Sequence, residues 1–122
     1  MSELKVWKFL EKLNNEIKEK KGKDFTIGHA YFLPLKEDMT PERFVEILRK
    51  SVLPLLQEYF YDDWETLISI LAGGSSQRDK ISKLIIDKYG EIKLPKNKTY
   101  EIVEILINFT ERNNNEQSTN QV

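Results

Sequence analysis

The chain has 122 residues, a length that fits one domain and is too short for a complete nucleotide-hydrolysing motor with its parallel sheet. Hydrophobic residues make up 39% and charged residues 32%, and the formal net charge is -1, which excludes a wholly disordered chain and a basic, non-specific nucleic-acid binder. No cysteine is present, so disulfides, zinc–thiolate sites and cysteine nucleophiles are excluded as well. The apolar runs are short and the N-terminus mixes acidic with basic residues, so we predict no membrane span, no signal peptide and a cytoplasmic location.

The first predicted element is a helix from about Glu3 to Lys21, with Ser2 as its N-cap and Gly22 as its terminator. Apolar residues recur in it at spacings of three and four, which predicts one buried face made of Leu4, Trp7, Leu10, Leu13 and Ile17. Residues 24–35 follow as a connector rich in aromatic and branched side chains. We predict that it packs against the rest, with little regular structure beyond one helical turn.

A second helix is predicted to open at Thr40 and Pro41, because threonine is a good N-cap and proline is tolerated in the first turn. Pro54 lies inside the apolar pattern that follows, so this helix must either kink there or stop and restart with proline in a first turn. Either Asp62 or Asp63 can cap the next helix, whose apolar positions are Trp64, Leu67, Ile68 and Leu71.

Two structures compete for residues 81–95. A helix would place four apolar side chains on one face and end at Gly90, the four being Ile81, Leu84, Ile85 and Tyr89. A β-hairpin would instead pair Leu84–Asp87 with Glu91–Leu94 across a turn in which Gly90 takes a positive φ. The period-two alternation of Glu91–Leu94 favours the hairpin.

The C-terminal part contains three further predicted segments. Small residues at 72–76 predict a flexible loop and the best internal boundary of the chain. A last helix is predicted from Thr99 to Arg112, with its apolar positions at Ile102, Val103, Ile105, Leu106 and Phe109. Residues 113–122 are polar without an apolar period, so we predict a disordered tail.

Common catalytic motifs are absent from the sequence. It has no P-loop string, no G-x-G-x-x-G string, and His29 is its only histidine, which excludes a multi-histidine metal site. The acidic residues around Asp62 and Asp63 could hold a cation or meet a basic partner, but a helix cap with solvated neighbours is the favoured interpretation. The lysines of 18–23 are interpreted as a solvated helix end, and Tyr59 and Phe60 as core residues.

His29 lies between Gly28 and Ala30 in the aromatic connector. A titratable ring beside a flexible backbone suits a ligand contact. A packed histidine with a satisfied hydrogen bond is equally compatible with the composition, so both interpretations stay open at this point.

Two strings of the sequence nevertheless form a family pattern. Ile27-Gly28-His29-Ala30-Tyr31-Phe32 and, after a gap, Pro54-Leu55-Leu56-Gln57-Glu58-Tyr59-Phe60 before an acidic pair resemble the C-terminal end of the AAA+ NTPase subunit of 5-methylcytosine-dependent restriction systems, the McrB family. The string Leu13–Ile17 fits the helix that precedes the first motif in that family. The resemblance covers about residues 3–71, and Ala30 stands where the family usually has serine.

The resemblance implies a mainly α fold: a small, helical AAA+ lid-like subdomain at residues 1–72. Residues 73–112 lie beyond the resemblance and are predicted from their own pattern as a C-terminal extension of a short β-hairpin and a helix, followed by the disordered tail at 113–122. Such a lid closes over the nucleotide bound to the AAA+ core and contacts neighbouring subunits. Gly28 and His29 are then the expected nucleotide contacts, while Tyr59, Phe60, Asp62 and Asp63 would shape the lid or its subunit contact.

The same resemblance implies that the chain alone is not an enzyme and holds no cofactor or metal. ATP or GTP with magnesium would belong to the parent protein, whose partners are expected to include its own AAA+ core, neighbouring subunits and a nuclease subunit. No DNA contact is expected through this region. The main alternative is a free-standing helical module that binds a protein partner through an apolar or acidic face, and a less favoured one is a small nucleic-acid-binding domain.

Overall fold

The computed structural model describes residues 2–72 and 75–107, apart from the side chains of 75–77, and these residues are mainly helical. Five α-helices have the following bounds: α1 Glu3–Lys21, α2 Pro41–Ile47, α3 Leu53–Tyr59, α4 Trp64–Ala72 and α5 Ser75–Ile85. Residues 99–107 are also helical and are called α6. Within the described ranges, no helix is both long and apolar enough to cross a bilayer.

Helix α1 has the predicted bounds, and its buried face includes three of the predicted residues together with two others. Ser2 Oγ accepts a hydrogen bond from the N–H of Lys5 at 3.3 Å, and Gly22 ends the helix at φ 105°. The buried residues are Val6, Phe9, Leu10, Leu13 and Ile17, whereas Leu4 is 63% exposed and Trp7 is half-buried. The predicted position Leu4 was therefore wrong, whereas Trp7 packs against the core. The ring of Phe44 packs edge-on against Phe9, at 5.4 Å between centroids, and adds Phe9 to the buried face.

The connector is more regular than predicted. It contains a short 3₁₀ turn at Lys23–Phe25 and a 3₁₀ helix at His29–Lys36, here called the motif helix. A 3₁₀ helix repeats every three residues, so Phe32 and Leu35 lie on one face, and both are buried. Phe32 stacks on Phe44 of α2 at 5.8 Å between ring centroids, which fixes the motif helix on the core.

Helices α2 and α3 form one rod that is interrupted by a wide π turn at Leu48–Val52. Thr40 caps the rod, since its Oγ1 accepts a hydrogen bond from the N–H of Arg43 at 3.2 Å. Pro54 lies in the first turn of α3, where the restart alternative placed it, but the helix does not stop before it. The backbone remains helical through the wide turn, which accommodates the proline.

The predicted β-hairpin was wrong for the described residues. Helix α5 continues to Ile85, because Ile81 and Ile85, one turn apart, are both buried against the core. Only an isolated antiparallel bridge joins Ile86 to Ile92, across a turn in which Gly90 has the predicted positive φ of 79°. The carboxylate of Asp87 accepts hydrogen bonds from the backbone N–H groups of two turn residues, Tyr89 and Glu91. Backbone hydrogen bonds from the N–H of Asp87 to the carbonyl of Glu91 and from the N–H of Lys93 to that of Ile85 also cross the turn.

The chain segments on both sides of residues 73–74 contribute to one hydrophobic core. A cavity of about 10 Å³ marks their junction, and it is lined by Leu48, Val52, Leu53, Leu56 and Leu71 from the first segment and by Ile81, Ile85, Leu94 and Leu106 from the second. Arg49 adds a polar tie, since its guanidinium donates to the carbonyl of Leu94 at 3.2 Å. The predicted boundary at residue 72 coincides with the end of α4 at Ala72, and α5 begins at Ser75. The predicted end of the last helix and the tail at 113–122 lie outside the described residues.

Candidate functional site

Gly28 and His29, the two predicted site residues, are exposed at the start of the motif helix. Gly28 is the N-cap residue, and its carbonyl accepts a hydrogen bond from the N–H of Tyr31 at 3.3 Å. Ile27, directly before them, is 2% exposed. The chain therefore emerges from the core at Ile27 and presents the next two residues to solvent.

The imidazole of His29 lies against the indole of Trp7, a residue of α1. The two rings meet edge to face, with their centroids 6.2 Å apart and their planes at 80°. The indole N–H of Trp7 donates to the carboxylate of Glu3 at 3.2 Å, which fixes the orientation of the indole. His29 is thus an exposed residue whose ring would lose a contact if it rotated. Trp7 lies directly beside it and supplies that contact.

A side-chain amide from α1 holds the backbone just before the site. Asn14 Nδ2 donates to the carbonyl of Ile27 at 2.9 Å, and the N–H of Ile27 donates to Asn14 Oδ1 at 2.6 Å. One amide therefore satisfies both polar backbone groups of a buried residue, as a neighbouring β-strand would. The two bonds fix the position and the orientation of the peptide that leads into Gly28.

A second helix, α3, supports the same segment from another side. The rings of Tyr59 and Phe25 meet edge to face at 5.2 Å, and the hydroxyl of Tyr59 donates a long hydrogen bond of 3.5 Å to the carbonyl of Thr26. Burial raises the pKa of the Tyr59 phenol, with smaller contributions from Tyr31 and from the carboxylate of Glu58. The hydroxyl therefore stays protonated near neutral pH and remains a donor.

Gly28 itself is under no conformational or steric pressure within the chain. Its φ of -70° and ψ of 144° are ordinary for any residue, and a Cβ built on it meets nothing within 4 Å. Gly22 differs, because its φ of 105° is one that L side chains rarely adopt. Gly22 is explained by the backbone turn after α1, whereas the described residues leave open space beside Gly28.

The other candidates of the sequence have structural roles. Asp63 caps α4, as predicted: its carboxylate accepts hydrogen bonds from the N–H and the hydroxyl of Thr66, and these bonds lower its pKa. Lys21 lies over the ring of Phe60, which is fully buried. No group of three potential metal ligands occurs among the residues that the structure describes.

A family model described as "McrB, alpha-helical lid domain" matches residues 5–67, slightly more than half of the chain. The chain belongs to the McrB lid family. A curated relative, the Type IV methyl-directed restriction enzyme EcoKMcrB subunit of Escherichia coli (strain K12), is 42% identical over 60 residues, which are 44% of this chain and 13% of that protein. This chain therefore matches only a small part of that relative's length, and no solved structure matches it.

The McrB lid segment contains every residue of the candidate site. Asn14, Ile27 and Tyr59 come from the three separate strings on which the resemblance rested, and the fold joins them at one place. The roles of Asn14 and Trp7 were not predicted from sequence. The available signal for Asn14 was its place on α1 between the buried residues Leu13 and Ile17, at the edge of the buried face.

Proposed function

We propose that this chain is the lid of an AAA+ NTPase subunit in a methylcytosine-dependent restriction system. In this proposal the lid closes over the nucleotide held by the AAA+ core of the parent protein and contacts neighbouring subunits. Membership of the McrB lid family and the similarity to a subunit of a methyl-directed restriction enzyme support the proposal. The chain alone has no P-loop string, so it would turn over no nucleotide by itself.

The observation that carries the proposal is the presentation of Gly28 and His29. Both are exposed at the start of a helix whose other face is buried, and the backbone before them is fixed by Asn14. The open space beside Gly28 would let a ligand approach the backbone closely, which is a common use of glycine at binding sites. His29 would offer a ring nitrogen to the nucleotide, with the indole of Trp7 behind it.

The outer side of the motif helix suits a contact with the core. Tyr31 and Leu33 are 41% and 44% exposed, although both are large apolar residues next to the proposed nucleotide contacts. Closing of the lid would cover them and remove apolar surface from water. Adenine or guanine nucleotide with magnesium would be bound mainly by the core, and a nuclease subunit would be a further partner of the assembled system.

The proposal is tested by His29→Ala in the NTPase subunit that carries this lid. Because His29 is exposed, the variant should fold normally, and turnover of ATP or GTP should fall about tenfold if one contact to the nucleotide is lost. Gly28→Ala should also lower turnover, because a methyl group would fill the space that the ligand needs.

Tyr89→Ala provides the control, since it removes an aromatic residue of 75% exposure from the turn after α5. Wild-type turnover in the two site variants, with the control unchanged, would contradict a nucleotide contact at this site. A helical module that binds only a protein partner would give that result.

A further inference from the structure

Two helices meet at the peptide that leads into the candidate site. α1 contributes Asn14, α3 contributes Tyr59, and the segment between Phe25 and Ile27 lies between them and is contacted by both. Neither helix residue belongs to the motif that is exposed to solvent. Each acts on the backbone or on a side chain within four residues of His29.

The contact of Asn14 depends on the chemistry of an amide. The buried peptide groups of Ile27 need one donor and one acceptor, and a side-chain amide supplies both in one plane. A carboxylate of the same shape could still accept from the N–H of Ile27, but it would place negative charge against the carbonyl oxygen. The native contact therefore requires asparagine specifically, and a substitution by aspartate alters one hydrogen bond without removing side-chain volume.

We propose that Asn14, assisted by Tyr59, is a positioning residue that sets the ring of His29, through the backbone just before it, for its contact with nucleotide. This inference rests on the proposed function. Neither residue needs to touch the nucleotide, because both act through the peptide at 26–27. The assignment gives the strings at 13–17, 27–32 and 54–60 a shared physical purpose, since each supplies one part of the same support.

A positioning role differs from a stabilising role in its effect on the folded protein. A residue that only stabilises the fold changes the unfolding midpoint, and the remaining folded molecules turn over nucleotide normally. A positioning residue changes the turnover of molecules that are fully folded. It also loses its influence once the group that it positions has been removed, so its effect and that of His29→Ala should not multiply.

The test is a double-mutant cycle in the NTPase subunit that carries this lid, using Asn14→Asp, His29→Ala and the double variant. Circular dichroism first establishes a temperature at which all variants are folded. We expect kcat/KM to fall about tenfold in each single variant and by about the same factor, well short of a hundredfold, in the double variant. Asn15→Asp is the matched control, since Asn15 is the adjacent, exposed asparagine of the same helix, and it should leave kcat/KM unchanged.

Tyr59→Phe tests the second support and serves if Asn14→Asp does not fold. It keeps the ring that contacts Phe25 and removes only the hydroxyl, whose hydrogen bond is long. We therefore expect a two- to threefold fall in kcat/KM. In the His29→Ala background the same substitution should cause no further fall.

Three results would overturn the inference. A wild-type kcat/KM in folded Asn14→Asp would do so, as would equal losses in Asn14→Asp and Asn15→Asp. Multiplicative losses in the double variant would show that Asn14 acts independently of His29. If His29→Ala itself turns over nucleotide at the wild-type rate, the proposed function fails first, and that result is separate from the behaviour of the Asn14 variants.

Discussion

Replacing Ile85 by alanine should destabilise the segment that carries the candidate site, although Ile85 lies outside the stretch that matches the family. Its side chain is 1% exposed and lines the 10 Å³ cavity between the two chain segments. The substitution removes three carbon groups at about 0.8 kcal/mol each and enlarges the cavity, so we expect a loss of about 3 kcal/mol in the free energy of unfolding. For a chain of this length the melting temperature should fall by about 10 °C.

The two tryptophans make the assay selective. Trp7 and Trp64 are the only tryptophans of the sequence, and both lie within residues 5–67, so intrinsic fluorescence reports on the family-matched part alone. Urea unfolding is followed by fluorescence and by far-UV circular dichroism, and both midpoints should shift together with an unchanged dependence on urea.

Lys83→Ala is the control, because Lys83 is exposed on the same helix and its replacement should change the free energy of unfolding by less than about 0.5 kcal/mol. A fluorescence transition at the wild-type midpoint in Ile85→Ala, with only the dichroism altered, would refute the reasoning. The extension would then be a separate folding unit, and the shared core would have no energetic consequence.

Two further predictions concern the backbone and a cap. Gly22→Ala should cost about 1–3 kcal/mol in the free energy of unfolding, because alanine must adopt the φ of 105°, whereas Gly28→Ala should leave that free energy unchanged; thermal melts of the 122-residue chain compare the two. Asp63→Asn should lower the urea midpoint at pH 7, because the ionised carboxylate accepts the Thr66 hydrogen bonds. The folded-state pKa of Asp63 is lowered, so this contribution is present above its ordinary pKa and disappears as the pH falls through the folded value. Asp62→Asn should show neither effect; equal midpoints for Asp63→Asn and wild type at pH 7 would contradict a contribution of the ionised carboxylate to stability, because asparagine can still accept the Thr66 N–H.

Local chemistry made the ends of the helices predictable. Ser2, Thr40 and Asp63 were recognisable as N-caps because a short polar side chain before a periodic segment satisfies free N–H groups whatever the tertiary context. Gly90 was recognisable as a positive-φ residue for a similarly local reason. These features depend on interactions within four residues, which a sequence displays directly.

Tertiary packing decided the features that were predicted wrongly. The first half of α1 has apolar residues around much of its circumference, so more than one stripe could be buried, and the position of Phe44 selected the one that contains Phe9. The segment at 84–87 has both helical and strand-like patterns, and burial of Ile85 one turn after Ile81 extended the helix. In both places the side chains that receive the buried face lie far away in sequence, since Ile81 and Ile85 pack with Leu53 and Leu56 around one cavity.

Only the exposed residues of the candidate site were predictable from the sequence. Gly28 and His29 were found because they belong to an uncommon string, and the structure places them together at the surface. Asn14 was not found because its importance lies in hydrogen bonds to Ile27, thirteen residues away, and nothing in the local pattern of α1 marks it.

The wide turn at Leu48–Val52 joins α2, which packs on α1 and the motif helix, to α3, which packs on the C-terminal extension. Before the turn, Phe44 meets α1 and the motif helix; after it, Leu53 and Leu56 meet the extension. One residue of a helix corresponds to a rotation of about 100°. Deleting a single residue in the turn would therefore rotate Leu53 and Leu56 away from the extension, while Phe44 kept its position. A length change of one residue in this rod would therefore change the orientation of the α3 face that packs on the extension.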